Sequence, residues 1–348
     1  MDATVLLILL QDGLLNGAIY ALLGLALVMV FAVTRIIFIP QGEFVTFGAL
    51  TLAFIINGRT PGTLWLLLIV GVIVAIKDIY HIVKYTAERK GTRIAMSLLW
   101  SVVWPVVLIL ISPLVMGKDI PLIISVLYSL AVVIPLGPML YKLIYQPLAE
   151  ASVLVLLITS VALHFALTGL GLVFFGAEGW RTPAFMRGQV DVFGMMWSAQ
   201  TLFVLASCAI LIGALWIFFG TTLYGRALRA TAVNRRGARL VGISTQMSGS
   251  ITMFLAAAVG AFSGMLIAPV TTIYYDTGFL IGLKGFVGAI IGGLASYPIT
   301  AIGAIFVGIL EAFSSFWASQ YKEVIVFTLI IPVLLWRSFG MQIMDDED

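Results

Sequence analysis

The sequence predicts an all-α protein embedded in a membrane and crossing it about eleven times. Three observations carry this. The residues are 61% hydrophobic and only 10% charged, against roughly a quarter charged in water-soluble domains. The mean hydropathy is +1.14. Apolar runs recur from one end to the other, and no stretch has the mixed composition of a soluble domain. Such a chain has no surface to offer water. Lipid accepts most of these side chains, provided that the backbone satisfies its own hydrogen bonds within helices. Residues 1–348 are read as one transmembrane domain.

A crossing helix needs about 20 mostly apolar residues. In chain order the candidates are 5–33, 36–56, 64–80, 94–116, 121–144, 152–175, 199–220, 247–273, 279–295, 299–317 and 323–336. The second and ninth are interrupted by Gly and by charge, so each is a candidate broken or re-entrant helix, which leaves 9–11 full crossings. The start, Met1-Asp2-Ala3-Thr4, lacks the basic region of a cleavable signal peptide.

Orientation follows from Lys and Arg in the short loops, which favour the cytoplasm. Lys84, Arg89, Lys90 and Arg93 mark one cytoplasmic loop, and Arg226, Arg229, Arg235, Arg236 and Arg239 a denser one; Lys142 edges a third. The loop 176–198 carries both signs (Glu178, Arg181, Arg187, Asp191) and reads as external. With eleven crossings these assignments agree. The N-terminus is then outside and the C-terminus in the cytoplasm, where the acidic tail Asp345-Asp346-Glu347-Asp348 reads as a disordered end.

Several chemistries are excluded. No Gly-x-x-x-x-Gly-Lys-Ser/Thr phosphate loop, Gly-x-Ser-x-Gly elbow or His-Glu-x-x-His pair occurs. Only His81, His164 and Cys208 could supply soft ligands, so a Cys/His metal site is not expected, and one cysteine forms no internal disulfide. Neither a catalytic residue nor a cofactor is expected, and the one dense basic loop is explained by orientation without nucleic acid. An intramembrane enzyme would need its His, Asp and Ser at one depth, whereas the two histidines lie far apart in sequence.

The segment 224–243 is the most distinctive. Ala227, Ala230 and Ala238, with Leu228 and Leu240, suggest a helix with one small-residue face, Arg around it and Gly242 at its C-terminal end. A short basic helix between two spans is built either to dock into a partner's groove or simply to hold a loop in the cytoplasm.

Here the chain resembles a known family. Gly225-Arg-Ala-Leu-Arg-Ala-Thr-Ala-Val-Asn234, then Ala238 and Gly242-Ile243, is similar to the coupling segment of the permeases of branched-chain amino acid ABC importers, of the LivH type. Asn16-Gly-Ala-Ile-Tyr-Ala-Leu22, Gln41-Gly-Glu-Phe44, Tyr145-Gln-Pro-Leu148, Gly282-Leu-Lys-Gly-Phe-Val-Gly-Ala-Ile-Ile-Gly-Gly-Leu294 and Gly308-Ile-Leu-Glu311 agree with it. The resemblance covers about residues 5–57 and 142–340. It implies a permease subunit in the inner (cytoplasmic) membrane that works with cytoplasmic ATP-binding subunits, a second permease and an extracytoplasmic substrate-binding protein. It also implies that the segment 221–245, including Gly225, Arg226, Ala227, Arg229, Ala230, Asn234, Ala238 and Gly242, docks on the ATPase. Related permeases move amides and urea, and an ATPase-independent secondary transporter stays open as another class.

The sequence departs from the family at 58–141, where three spans and a charged loop replace one span and a linker; about two extra helices are inserted at 64–116. Tyr297-Pro-Ile-Thr300 replaces a Gly-Ser-x-x-Gly-Ala turn, and Arg337-Ser-Phe-Gly340 an Arg-Pro-x-Gly ending.

Intramembrane charges supply the substrate-path candidates, because a charge in hydrocarbon costs several kcal/mol unless it faces a cavity or a partner. Glu43, with Gln41 and Gly42 beside it, follows Pro40 and suits an ammonium; otherwise it is a helix-start acid near the membrane surface. Lys284, followed by Gly285, either takes a carboxylate, pairs with Glu43, or snorkels to the interface. Glu311 lines the path or partners a cation such as Lys284. The likeness of Gly42-Glu-Phe-Val45 to Lys284-Gly-Phe-Val287 hints at an internal repeat. His164 reads as a packed, hydrogen-bonded residue, and Gly13, Asn16, Gly17 and Gly24 as close helix packing with an interhelical hydrogen bond.

Overall fold

The structure, a computed structural model, describes residues 3–85, 90–117, 120–192 and 194–336. Arg89 of the first basic loop, the 337–340 ending and the acidic tail lie outside the described residues.

Eleven apolar helices form the body. Nine are long and apolar enough to cross a bilayer among the described residues: α1 (Ala3–Thr34), α3 (Thr63–Tyr85), α4 (Gly91–Val115), α5 (Leu122–Leu148), α6 (Val153–Phe175), α7 (Ala199–Thr221), α10 (Thr245–Ile267), α12 (Tyr297–Trp317) and α13 (Ser319–Trp336). Two are shorter, α2 (Gln41–Ile56) and α11 (Thr277–Ile291). Between α7 and α10 lie two small helices, α8 (Leu223–Val233) and α9 (Arg235–Leu240). A hairpin, β1 (Gln189–Val192) with β2 (Met195–Ser198), sits in the loop before α7.

The two short helices are the two interrupted spans. With 16 and 15 residues they rise about 24 and 22 Å, less than the roughly 30 Å of hydrocarbon. The cause of the first break is local. Arg35 takes a left-handed φ of 62°, which ends α1, and the Thr34 hydroxyl accepts from Ile36 N–H at 3.3 Å. Residues 35–40 then continue outside any helix to Pro40, before α2 starts. In the second break, 268–276 descends as irregular chain, bridged to the external loop at Trp180–Ile273, before α11 begins.

The starts of α2 and α11 meet. A Cβ on Gly42 would lie 2.2 Å from the Gly278 carbonyl oxygen, and one on Gly278 2.0 Å from that of Gly42. Only glycine at both positions permits this backbone approach. The orphan N–H of Gly278 donates to the Thr46 hydroxyl at 2.9 Å, so one short helix caps the other. Packing is exchanged as well: α2 lies along α10, and α11 lies along α1.

The core is built around α1, whose glycines let α12 approach: Gly308 would clash with the Gly17 backbone if it carried a Cβ. Gly13 and Gly24 pack closely as expected, but Asn16 makes no interhelical hydrogen bond among the described residues. α3 and α4 occupy the flank with many apolar side chains exposed, among them Ile76, Trp100 and Leu114, as expected of lipid-facing helices.

Candidate functional site: two buried charge clusters and a basic helix pair

Glu43 stands in the first turn of α2, where a carboxylate suits the positive helix end. It is a helix-start acid, as one of the two expectations had it, and it is 3% exposed, enclosed by protein rather than open to solvent. Its Oε1 pairs with His164 Nδ1 at 2.5 Å and accepts from the Thr168 hydroxyl at 3.3 Å. His164 is at the midpoint of α6, deep in the bundle, with Phe279 of α11 stacked on its ring at 4.1 Å. The other carboxylate oxygen, Oε2, is buried and has no hydrogen-bond partner; neither has Gln41 Oε1, although Gln41 Nε2 donates to Ala256 O on α10 at 2.9 Å. An open acceptor in so apolar a setting is costly, and such a cost is retained where the group has work to do.

Lys284 is at the midpoint of α11 and 5% exposed, so it does not snorkel. Nor does it reach Glu43 as the alternative pairing required. Its ammonium donates to Glu311 of α12 at 2.5 Å and to Glu323 of α13 at 3.0 Å. The Tyr20 hydroxyl of α1 donates to the second Glu311 oxygen at 2.5 Å. Glu311 is thus the partner of a cation. The network bolts α1, α11, α12 and α13 together. Gly285 is packed against α1, with a Cβ there meeting Leu23 at 2.8 Å.

The basic segment differs from the sequence reading in one respect. It is two helices rather than one, broken at Asn234, whose backbone is extended (φ −147°, ψ 98°) and whose side chain caps α9 by accepting from Gly237 N–H at 2.8 Å. A side chain that satisfies a helix start favours a new helix over continuing the old one. Gly242 ends α9 with φ 84°, and Ile243 N–H donates to Ala238 O at 2.9 Å, the closing pattern of a left-handed helix end. The expected single small-residue face is not formed. Leu228 and Ala238 turn inward, as does Gly225, which packs on the Phe218–Phe219 backbone. Arg226, Arg229, Ala230 and Asn234 face outward, Ala227 is half-buried, and Val233 and Leu240 are 87% and 88% exposed. A groove between α8 and α9 is lined by Arg226, Arg229, Ala230, Asn234 and Ala238. Arg239 ties this pair to Glu150 at 3.5 Å.

Sequence reading missed His164 as the partner of Glu43, and Tyr20 and Glu323 as members of the Lys284 network. The available signal was modest: Ser160, His164 and Thr168 are polar positions spaced four apart on a mostly apolar helix, hence on one face.

With this geometry in hand, comparison with known proteins is decisive. The family described as "Branched-chain amino acid transport system / permease component" matches residues 91–334. The chain belongs to that family. Among curated relatives it is similar to the high-affinity branched-chain amino acid transport system permease protein BraD of Pseudomonas aeruginosa, at 25% identity over 82% of this chain and 94% of the relative. It is also similar to LivH of Escherichia coli K12, at 31% over 58% and 67%. The probable LivH of Methanocaldococcus jannaschii is 26% identical over 61% of this chain and 73% of that one. The family assignment and the apolar helices agree on a multi-pass membrane permease, and the relatives are transport subunits rather than enzymes.

Proposed function

We propose that this chain is the membrane-spanning subunit of an ATP-driven ABC importer that carries branched-chain or related amino acids across the cytoplasmic membrane. The observation that carries the proposal is the family match, together with relatives whose names state that transport. The ATPase-independent alternative has no comparable support. The partners would be cytoplasmic ATP-binding subunits, a second permease and an extracytoplasmic binding protein, and the C-terminus would be cytoplasmic.

In this reading the α8–α9 pair is the lever. Arg226 and Arg229, beside exposed Val233 and Val241, offer a basic rim around apolar anchors, suited to a partner's groove. Closure of the ATPases moves α8 and α9, and through the packing of α8 on α7 and α10 moves the helices that carry the short pair. Parting the starts of α2 and α11 at Gly42–Gly278 would uncover Glu43, whose open Oε2 would take the substrate ammonium with Gln41 alongside. Lys284, Gly285 and Glu311 would keep α11 fixed to its neighbours during that motion. Both Glu43 and Lys284 are buried, so the state described is closed at these residues.

The test is a mild-detergent purification of the tagged chain with mass spectrometry of what accompanies it, then uptake and ATP hydrolysis in vesicles. A soluble ATPase and a second hydrophobic subunit should co-purify. The double substitution Arg226→Glu/Arg229→Glu should abolish uptake while the chain still enters the membrane. Wild-type uptake by that variant overturns the lever.

A further inference from the structure

The flank formed by α3 and α4 holds a feature apart from the two buried charge clusters and the α8–α9 pair. Where these helices meet α5 and the start of α10, a cavity of about 530 Å3 opens at the same end of the bundle as α8 and α9. Gln246 of α10 lines both this cavity and the one beside Arg239, which fixes that location.

Its charges do not balance. Asp78 Oδ2 accepts from Lys142 Nζ at 2.5 Å and from Ser97 Oγ at 2.6 Å, so one ammonium is neutralised. Lys77 turns to carbonyls instead: its Nζ donates to Lys142 O at 2.7 Å and Leu143 O at 3.4 Å. These dipoles occupy two of its three N–H donors and leave its charge unpaired. Arg93 adds another cation to the wall and contacts no carboxylate among the described residues. With Asp78 offset by Lys142, Lys77 and Arg93 remain in surplus. Ser97, Gln146 and Gln246 add uncharged donors.

The surroundings identify the source of the anion. Lys142 lies six residues before the end of α5, in the last turns of a crossing helix, the part that nears the headgroups. Trp100 borders the cavity and is exposed, as is usual for Trp at that level. From it the exposed apolar face of α4 continues through Val103, Val106 and Leu110, a track for an acyl chain. Basic pockets between helices at this depth suit anionic headgroups.

We propose that this cavity seats the phosphate of an anionic phospholipid headgroup between Lys77, Arg93 and Lys142. The lipid then mortars the α3–α4 flank to the core helices. This inference is independent of the transport reading.

The experiment is native mass spectrometry of the full chain, with whatever subunits accompany it, exposed to phosphatidylglycerol or phosphatidylcholine. Phosphatidylglycerol should be retained over phosphatidylcholine. Arg93→Gln, which leaves the Asp78–Lys142–Ser97 ties in place, should cut retention roughly fivefold, and Arg93→Gln/Lys77→Gln roughly twentyfold. Arg187→Gln in the opposite loop should change nothing. Competition then names the source. Resistance to millimolar inorganic phosphate supports the headgroup; displacement keeps the phosphate site but overturns its assignment to lipid. No preference for phosphatidylglycerol, or equal retention by wild type and a normally assembled Arg93→Gln, overturns the proposal.

Discussion

The two buried clusters, Glu43–His164 and Lys284–Glu311–Glu323, are built on opposite principles. Around Lys284 every formal charge faces an opposite one, and the two carboxylates and the tyrosine come from three different helices. Around Glu43 the partner is a histidine, one carboxylate oxygen has no partner, and a neighbouring amide oxygen is also open. The first arrangement suits a joint and the second a receptor. Burial alone does not distinguish them, since both residues are nearly inaccessible, nor does an open acceptor, since Glu323 Oε2 is also buried without a partner; what distinguishes them is that Lys284 meets two carboxylates, whereas Glu43 meets a histidine and, among the described residues, no Lys or Arg.

The strongest challenge to that contrast is Lys284→Met. It strands Glu311 and Glu323 without their cation, and breaking a buried pair in this way costs about 3–5 kcal/mol. Thermal unfolding of the detergent-solubilised chain should show a large loss, and Lys284→Met/Glu311→Gln should recover part of it. An unchanged midpoint for Lys284→Met would mean that the network is not a joint.

Next comes the contact that links the clusters. Gly278→Ala places a methyl 2.0 Å from the Gly42 carbonyl oxygen, and overpacking of this kind costs about 1–3 kcal/mol. The same unfolding assay should register it, with uptake falling too. Tolerance of alanine would show that the two helix starts stand apart.

Glu43→Gln should behave in the reverse way. Stability should change by less than about 1 kcal/mol, because an amide keeps a hydrogen bond to His164, whereas amino acid uptake should fall at least tenfold. Uptake at the wild-type level would make Glu43 structural. Thr168→Val should have the smallest effect, about 0.5–1 kcal/mol for one weak 3.3 Å bond; a larger loss would place Thr168 at the centre of the cluster.

Reading the sequence located the spans because hydrocarbon imposes one requirement everywhere: about 20 apolar residues with satisfied backbone. Even the two irregular spans were visible, since Pro40 and the glycines near Lys284 interrupt the runs. Asn234 was harder to read. Its neighbours favour one continuous helix, and only the cap that it forms on Gly237 splits α8 from α9. Partner choice was less legible still. Nothing near Glu43 in sequence points to His164, 121 residues away, or near Lys284 to Tyr20.

By itself, then, the sequence determined the class of protein, the number of apolar helices, the residues that bear intramembrane charge and, through its motifs, the permease family. Each is a property of composition or of local spacing. Tertiary structure alone decided which charge answers which, that Lys284 meets Glu311 and Glu323 while Glu43 meets His164, and that the starts of α2 and α11 touch at two glycines. Those outcomes depend on packing between helices, joining residues from 27 to 291 positions apart, where a bare backbone meets a bare backbone and a side chain takes whichever partner the neighbouring helix presents.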